Sequence, residues 1–250
     1  MYAWRARVGI VNPTHRGKVF ALWYKTAPEG VEIIPTFVGF RTSDRQTFEA
    51  GFERAEQLAE DLKAAGCDIV VVSGTPPVLL KGLDFEREWR DRLSQKIGIP
   101  VISQMEPHAQ ALLAMGVRRV AIATYYGDEL NQAIVDYFRR FDIEGVVLGG
   151  FQSARAAGQA LYTTSLKALD DVSYIEVYQY CTRGVRRLER PVDGLYINGG
   201  GWDAAPAVTA LEADLNTKVV FAQAAEIWLM YRTLGIHVSI PYLGSLLRGD

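Results

Sequence analysis

Eight short apolar runs, each bounded by polar or glycine-rich turns, constrain this chain more than anything else in it. They are residues 6–13, 31–40, 68–74, 99–103, 118–124, 143–150, 193–199 and 218–223. Several read as continuous β-branched segments, Asp68-Ile69-Val70-Val71-Val72-Ser73-Gly74 above all. A run of that kind is the mark of a strand covered on both faces. Between the runs lie stretches with apolar residues at helical spacing. Phe52, Ala55, Leu58, Ala59 and Leu62 share one face of a helix expected over 48–65, which Gly66 closes. Helices are also expected up to Met115, over 128–141, over 159–188, over 204–214 and from Ala225 onward. Alternating strands and helices predict parallel sheets joined by right-handed crossovers.

The order strand, glycine loop, helix, strand, helix occurs twice. It first runs through Ser73-Gly74-Thr75 to Gln104, then through Asn198-Gly199-Gly200 to Gln223. The expected architecture is therefore α/β with two similar lobes. Each is a mainly parallel four-stranded sheet flanked by helices, related by a pseudo-twofold axis with a cleft between. Residues 1–114 with 222–250 would form one lobe and 115–221 the other. The two glycine loops then fall at carboxyl ends of strands, where open α/β sheets bind ligands. Plain βα turns with no ligand are the alternative reading of the same loops.

Composition excludes several classes. The chain has 250 residues, 27 basic against 29 acidic, a net charge of −2 and 49% hydrophobic residues. That balance gives no reason to expect a nucleic-acid or membrane surface. No apolar run reaches the length of a membrane span, and the start, MYAWRARVGIVNP, has no signal-peptide pattern. The two cysteines, Cys67 and Cys181, have no metal or redox spacing and fit packing roles in a reducing, cytoplasmic setting. His15, His108 and His237 lack metal-ligand spacing, so no metal is expected. His237 is expected to be structural.

Three segments carry a resemblance: GTPPVLLKG (74–82), GVRRVAIATYYGDELN (116–131) and DGLYINGGG (193–201). They resemble the aspartate/glutamate racemase superfamily, in its arylmalonate decarboxylase and maleate cis-trans isomerase branch. The likeness runs from Ile10-Val11-Asn12-Pro13-Thr14 to the last helix. It implies a cofactor-independent enzyme acting on a small carboxylate, with a homo-oligomer as the family-level expectation. The family's two cysteine positions match Gly74 and Gly199. Two-thiol racemisation is therefore the chemistry argued against most strongly. Thr75, Tyr126 and Asn131 match residues around the substrate carboxylate, and backbone N–H groups at Gly74 and Gly200 are further donors. Asn12 and His15 lie in the first loop, which the resemblance puts over the substrate. Pro76 stands where a serine is usual and removes a hydroxyl and an N–H.

With glycine at both cysteine positions, three readings stay open. Another acid or base acts, with Glu106 and His108 the leading candidates, His15, Asp44 and Asp203 behind them, and Tyr126 a further catalytic residue. Or the substrate supplies the reactivity, losing CO₂ from a desolvated carboxylate. Or the cleft binds a carboxylate without turning it over, as a sensor. A hydrolase using Glu/His acid–base chemistry is a further alternative. The expected function is a cysteine-free lyase, decarboxylase-like, or an isomerase. Trp23, Tyr24, Phe40 and Trp202 suggest an aromatic wall, and Gly199 in place of a thiol suggests a cleft enlarged on that side.

Overall fold

The computed structural model describes residues 3–15, 17–40, 45–151, 172–199 and 201–249. Asp44, Gly200 and the first part of the helix expected over 159–188 lie outside the described residues.

Among the described residues, eight strands form two four-stranded parallel sheets. The first contains β1 (Ala6–Asn12), β2 (Val31–Phe37), β3 (Ile69–Val72) and β4 (Val101–Ile102), in the order β2-β1-β3-β4. The second contains β5 (Arg119–Ala123), β6 (Glu144–Val147), β7 (Gly194–Ile197) and β8 (Lys218–Phe221), in the order β6-β5-β7-β8. The two orders are the same, as the repeated sequence pattern predicts. Register pairs Val8 with Ile69 and Ile10 with Val71 in the first sheet, and Ile122 with Tyr196 in the second. The strand cores are buried throughout: β3 and β7 expose none of their four residues.

Nine helices are described: α1 (Gly17–Thr26), α2 (Arg45–Ala64), α3 (Thr75–Lys81), α4 (Leu83–Ile97), α5 (Glu106–Ala114), α6 (Asp128–Arg139), α7 (Tyr174–Arg186), α8 (Val208–Leu215) and α9 (Ala222–Thr233). Three differences from the periodicity have clear causes. Gly82, at φ +85°, breaks the single helix expected after Gly74 into α3 and α4. The last strand ends at Phe221 and α9 begins at once, so Gln223 is helical. Ala205-Pro206-Ala207 is a 3₁₀ turn leading into α8.

One apolar core runs from Val8, Ile10 and Val71 of the first sheet through Leu112 and Tyr196 to Val219 of the second. A smaller cluster, with Leu62, Val70, Trp89 and Leu93, fills the other face of the first sheet. Helix α9 packs on α5 and on the first sheet's β3 and β4 although it follows the second sheet's last strand. In each sheet the order reverses beside the first strand, between β1 and β3 and between β5 and β7. Loops leaving such strands diverge to opposite faces and open a crevice. Here the crevices of the two sheets meet in one cleft.

Candidate active site

The cleft encloses about 100 Å³. Asn12, Pro13 and Thr14 follow β1, and Ser73, Gly74 and Thr75 follow β3. Tyr125 and Tyr126 follow β5, Asn198 follows β7, and Gln223 and Glu226 come from α9. Pro76, Pro77, Val19, Phe40, Phe48 and Phe221 complete an apolar side.

Gly74 has φ +115°, and a Cβ there would meet the Pro13 ring at 3.0 Å. The close turn lets Thr75 open α3 at the cleft. The first N–H groups of a helix have no intrahelical acceptor. Pro76 and Pro77 have none to offer, so Gly74 and Thr75 are the backbone donors at this end. The Thr75 hydroxyl donates to Asn198 Oδ1 across the cleft at 3.2 Å, joining the β3 end of one sheet to the β7 end of the other. Tyr126 is held from behind. Its N–H donates to Thr124 Oγ1 and its carbonyl accepts from Asn131 Nδ2. Thr124 Oγ1 in turn donates to Asn131 Oδ1 at 2.6 Å. Asn131 is thus consumed in fixing the Tyr126 turn and does not line the cleft, which removes it from direct contact with a substrate.

The proton carriers expected from sequence lie elsewhere. Glu106 opens α5 but turns away from the cleft. It accepts from Arg87 Nε and Nη2 at 2.9 and 2.7 Å and from Arg90 Nη1, beside a separate surface groove. The backbone N–H groups of Met105 and Glu106 are capped by the Glu86 carboxylate, which also accepts from the Tyr137 hydroxyl. Glu106 is an ion-pair residue here. His108, two residues on, is fully buried behind the cleft wall. The Tyr196 hydroxyl lies 2.8 Å from its Nδ1. Burial and the nearby Glu226 push the Tyr196 phenol well above its usual range. It therefore keeps its proton and shares a hydrogen bond with the imidazole. Among the described residues Nε2 has no hydrogen-bond partner, and it faces Glu226 Oε1 at 3.7 Å.

Glu226, which the sequence reading passed over, is 3% exposed and lines the cleft. Both its oxygens accept from the Ser73 hydroxyl, at 3.1 and 2.9 Å. A signal was present: Glu226 is the lone acid in the otherwise apolar run Ala224-Ala225-Glu226-Ile227-Trp228-Leu229-Met230. A buried acid in such a run calls for a specific partner.

The glycine loop after β7 is filled. Gly199 has φ +135°, and a Cβ there would lie 2.2 Å from Trp202 Nε1 and 2.2 Å from Tyr125 Cε1. The Trp202 indole is buried, donates to the Asn198 carbonyl at 2.9 Å and packs edge-on against Tyr125. The expected enlargement of the cleft at this point is therefore corrected: the indole occupies the space, and Gly199 does not line the cavity. The expected aromatic wall is also revised. Phe40 lines the cleft, but Trp23 is buried in the core and Tyr24 is exposed. His15 is exposed and stacks on Phe37 at 4.4 Å, and Asp203 and His237 are exposed. Asn12 lines the cleft while its amide donates to the Thr14 carbonyl at 2.7 Å.

Neither cysteine reaches the cleft. Cys67 packs in the smaller core behind the first sheet and Cys181 within α7. Burial pushes their thiols up to about 11 and about 12 respectively, far from the thiolate that chemistry requires. Among the described residues, no group of three or more His, Cys, Asp or Glu is arranged to hold a metal, and no helix is long and apolar enough to cross a membrane.

Fold and cleft together define an α/β protein of two four-stranded parallel sheets with a cavity between their facing strand ends. The chain belongs to the arylmalonate decarboxylase family, whose profile matches residues 8–247. It is 25% identical to an arylmalonate decarboxylase of Bordetella bronchiseptica over 228 residues, covering 91% of this chain and 90% of that one. It is 23% identical over 209 residues to a maleate isomerase of Pseudomonas putida, covering 78% and 75%. Among solved structures, a liganded mutant of arylmalonate decarboxylase superposes with a TM-score of 0.83 at 22% identity, over 97% of this chain and 98% of that one. The maleate isomerase of Pseudomonas putida S16 with maleate superposes at 0.82 and 21% identity, over 98% of both chains.

Two outcomes follow. Gly199→Ala strains a positive φ and drives a methyl into Trp202 and Tyr125, so chemical denaturation should report a loss of about 3 kcal/mol. Glu106→Gln loses charge-assisted bonds to two arginines that are partly solvent-screened, a loss of about 1 kcal/mol, and ligand affinity in the cleft, measured by calorimetry, should stay at the wild-type value.

Proposed function

We propose that this protein is a cofactor-independent lyase that decarboxylates a small carboxylic acid without a cysteine. The observation that carries the reading is the divided lining of one interlobe cavity. Thr75, Asn198, Tyr126, Ser73 and Gln223 supply a polar side, while Phe40, Phe48, Pro13, Pro76, Pro77 and Phe221 supply an apolar one. An acid with a carboxylate at one end and an apolar or aromatic substituent at the other matches that division. The cavity is small for a ring, since about 150 Å³ holds a benzene molecule. An aryl group would therefore reach out along Phe40 and Phe48 toward the mouth.

In this reading the Thr75 hydroxyl and the Tyr126 phenol hold the carboxylate that stays. A hydroxyl released from Asn198 to a carboxylate gains a charge-assisted bond in a site with little water. The carboxylate that leaves lies against the proline and phenylalanine rings, where losing its charge as CO₂ is favoured. Charge then develops on the retained carboxylate as an enediolate. The same two donors meet it there, and donors fixed before the reaction need no reorganisation during it. The homologues are a decarboxylase and a maleate isomerase, which supports lyase or isomerase chemistry on a small acid. The lack of a thiol in the cavity favours the lyase, because decarboxylation needs no nucleophile to break its bond.

The test is a panel of aryl malonates, maleate and simple mono- and dicarboxylates, scored by thermal shift and by NMR in D₂O. An aryl malonate should stabilise the protein and return as the monoacid carrying deuterium at its α-carbon. Thr75→Val should raise KM by about tenfold or more, the worth of one hydrogen bond to a charged group. Acids that stabilise the protein but come back unchanged would contradict the enzyme reading and favour a carboxylate-binding protein.

A further inference from the structure

We infer that Glu226 is the group that delivers the proton to the α-carbon, held in place by Ser73 and by the His108–Tyr196 pair. The inference rests on the cleft acting as a decarboxylase.

Four observations converge. First, Glu226 is the one side chain with an ionisable carboxyl or basic group among the described residues that line the cleft. Second, it is nearly fully buried, and an acid on an apolar helix facing an apolar cavity is costly to desolvate. A hydrophobic residue of similar volume would serve packing as well or better. Third, its direct hydrogen-bond partner among the described residues is Ser73, the residue before Gly74 and Thr75. The carboxyl group is therefore one short side chain from the turn proposed to hold the substrate. Fourth, His108 is 0% exposed, its Nε2 has no hydrogen-bond partner among the described residues, and it faces Glu226 at 3.7 Å. Its other nitrogen is fixed by Tyr196 at 2.8 Å. A buried imidazole nitrogen that faces a carboxyl group without closing on it is placed to stabilise a charge that comes and goes.

The bond between the α-carbon and the leaving carboxylate breaks, CO₂ departs neutral, and the electron pair stays on the α-carbon, spread into the retained carboxylate. The Glu226 carboxylic acid transfers its proton to that carbon and becomes a carboxylate. Ser73 Oγ–H and the His108 imidazole then stabilise the new charge. A proton from solvent at the cleft mouth restores the acid, so one proton is consumed per CO₂ released. Glu226 is the catalytic residue in this scheme. Ser73 and His108 are positioning residues that act through it.

The experiment uses an α-methyl aryl malonate, whose monoacid product is chiral, with wild type, Glu226→Gln, Glu226→Asp, Ser73→Ala and Ser73→Thr. Glutamine keeps an acceptor for Ser73 and has no proton to give. The corresponding arylacetate should still stabilise Glu226→Gln in thermal unfolding as it does wild type, reporting an intact cleft. Turnover of Glu226→Gln should fall by about 10²-fold or more, the usual worth of a positioned proton donor, or its product should become racemic as solvent replaces the fixed donor. Either result supports the assignment. Glu226→Asp should recover part of the lost turnover or selectivity. Ser73→Ala should lower kcat about tenfold with KM unchanged, and Ser73→Thr should restore it. Glu226→Gln that keeps both wild-type turnover and enantiomeric excess would overturn the role of Glu226 while leaving the decarboxylase reading intact. Wild type that binds the arylacetate but decarboxylates no malonate would overturn the decarboxylase reading, and this inference with it.

Discussion

A carboxylate can be buried between two sheets only if other groups hold it there, and in this protein the Glu226 carboxylate meets that requirement at the seam of the two lobes. Ser73 comes from the end of β3 in the first sheet, Glu226 from the helix that follows β8 of the second, and His108 from the helix that follows β4. A parallel sheet has to send its connections out at strand ends, so polar residues that cannot sit inside a strand collect there. When two such sheets face each other, the collected groups meet. The Thr75–Asn198 bond is the second tie of the same kind. Shape and chemistry of the cleft thus have one origin, the common carboxyl-end direction of two sheets that share a core.

The loop after β7 shows how local packing decides what a glycine run does. Three glycines invite the idea of a ligand cradle. In the folded chain the first of them is a clearance for an indole. Trp202 folds back over Gly199 and bonds to the carbonyl of Asn198, and with Tyr125 it closes that side of the cavity. A cysteine side chain at this position would collide with both rings. The turn at Gly199 therefore has no room for a thiol.

The sheets were legible because β-branched runs such as Ile69–Val72 are buried on both faces, and that burial is written into consecutive residues. The repeated order of elements gave two sheets for the same reason. Helix α1 was not read, because Gly17-Lys18-Val19-Phe20-Ala21-Leu22-Trp23-Tyr24 lacks a distinct polar face in its middle. Of the site, Gly74 and Thr75 were legible at a strand end, Tyr126 and Asn12 through the family resemblance, and all four line the cleft. Glu106 and His108 were chosen because they follow a strand, but two residues of helical rotation, about 200°, put their side chains on opposite faces of the helix. Glu106 turns outward to Arg87 and Arg90. His108 turns inward beneath the wall. Sequence position does not fix that rotation; packing of α5 against α9 does. Glu226 escaped notice because Gln223 was read as the end of a strand, which put the helix start three residues late.

The most direct measurement is the rate of aryl malonate decarboxylation by a variant carrying both Cys67→Ala and Cys181→Ala. Both thiols are buried away from the cleft with their ionisation suppressed. A kcat/KM within a few-fold of wild type is the predicted result, since the protein would then work with no sulfur nucleophile at all. Loss of turnover in a variant that remains folded and still binds the product acid would contradict a cysteine-free mechanism.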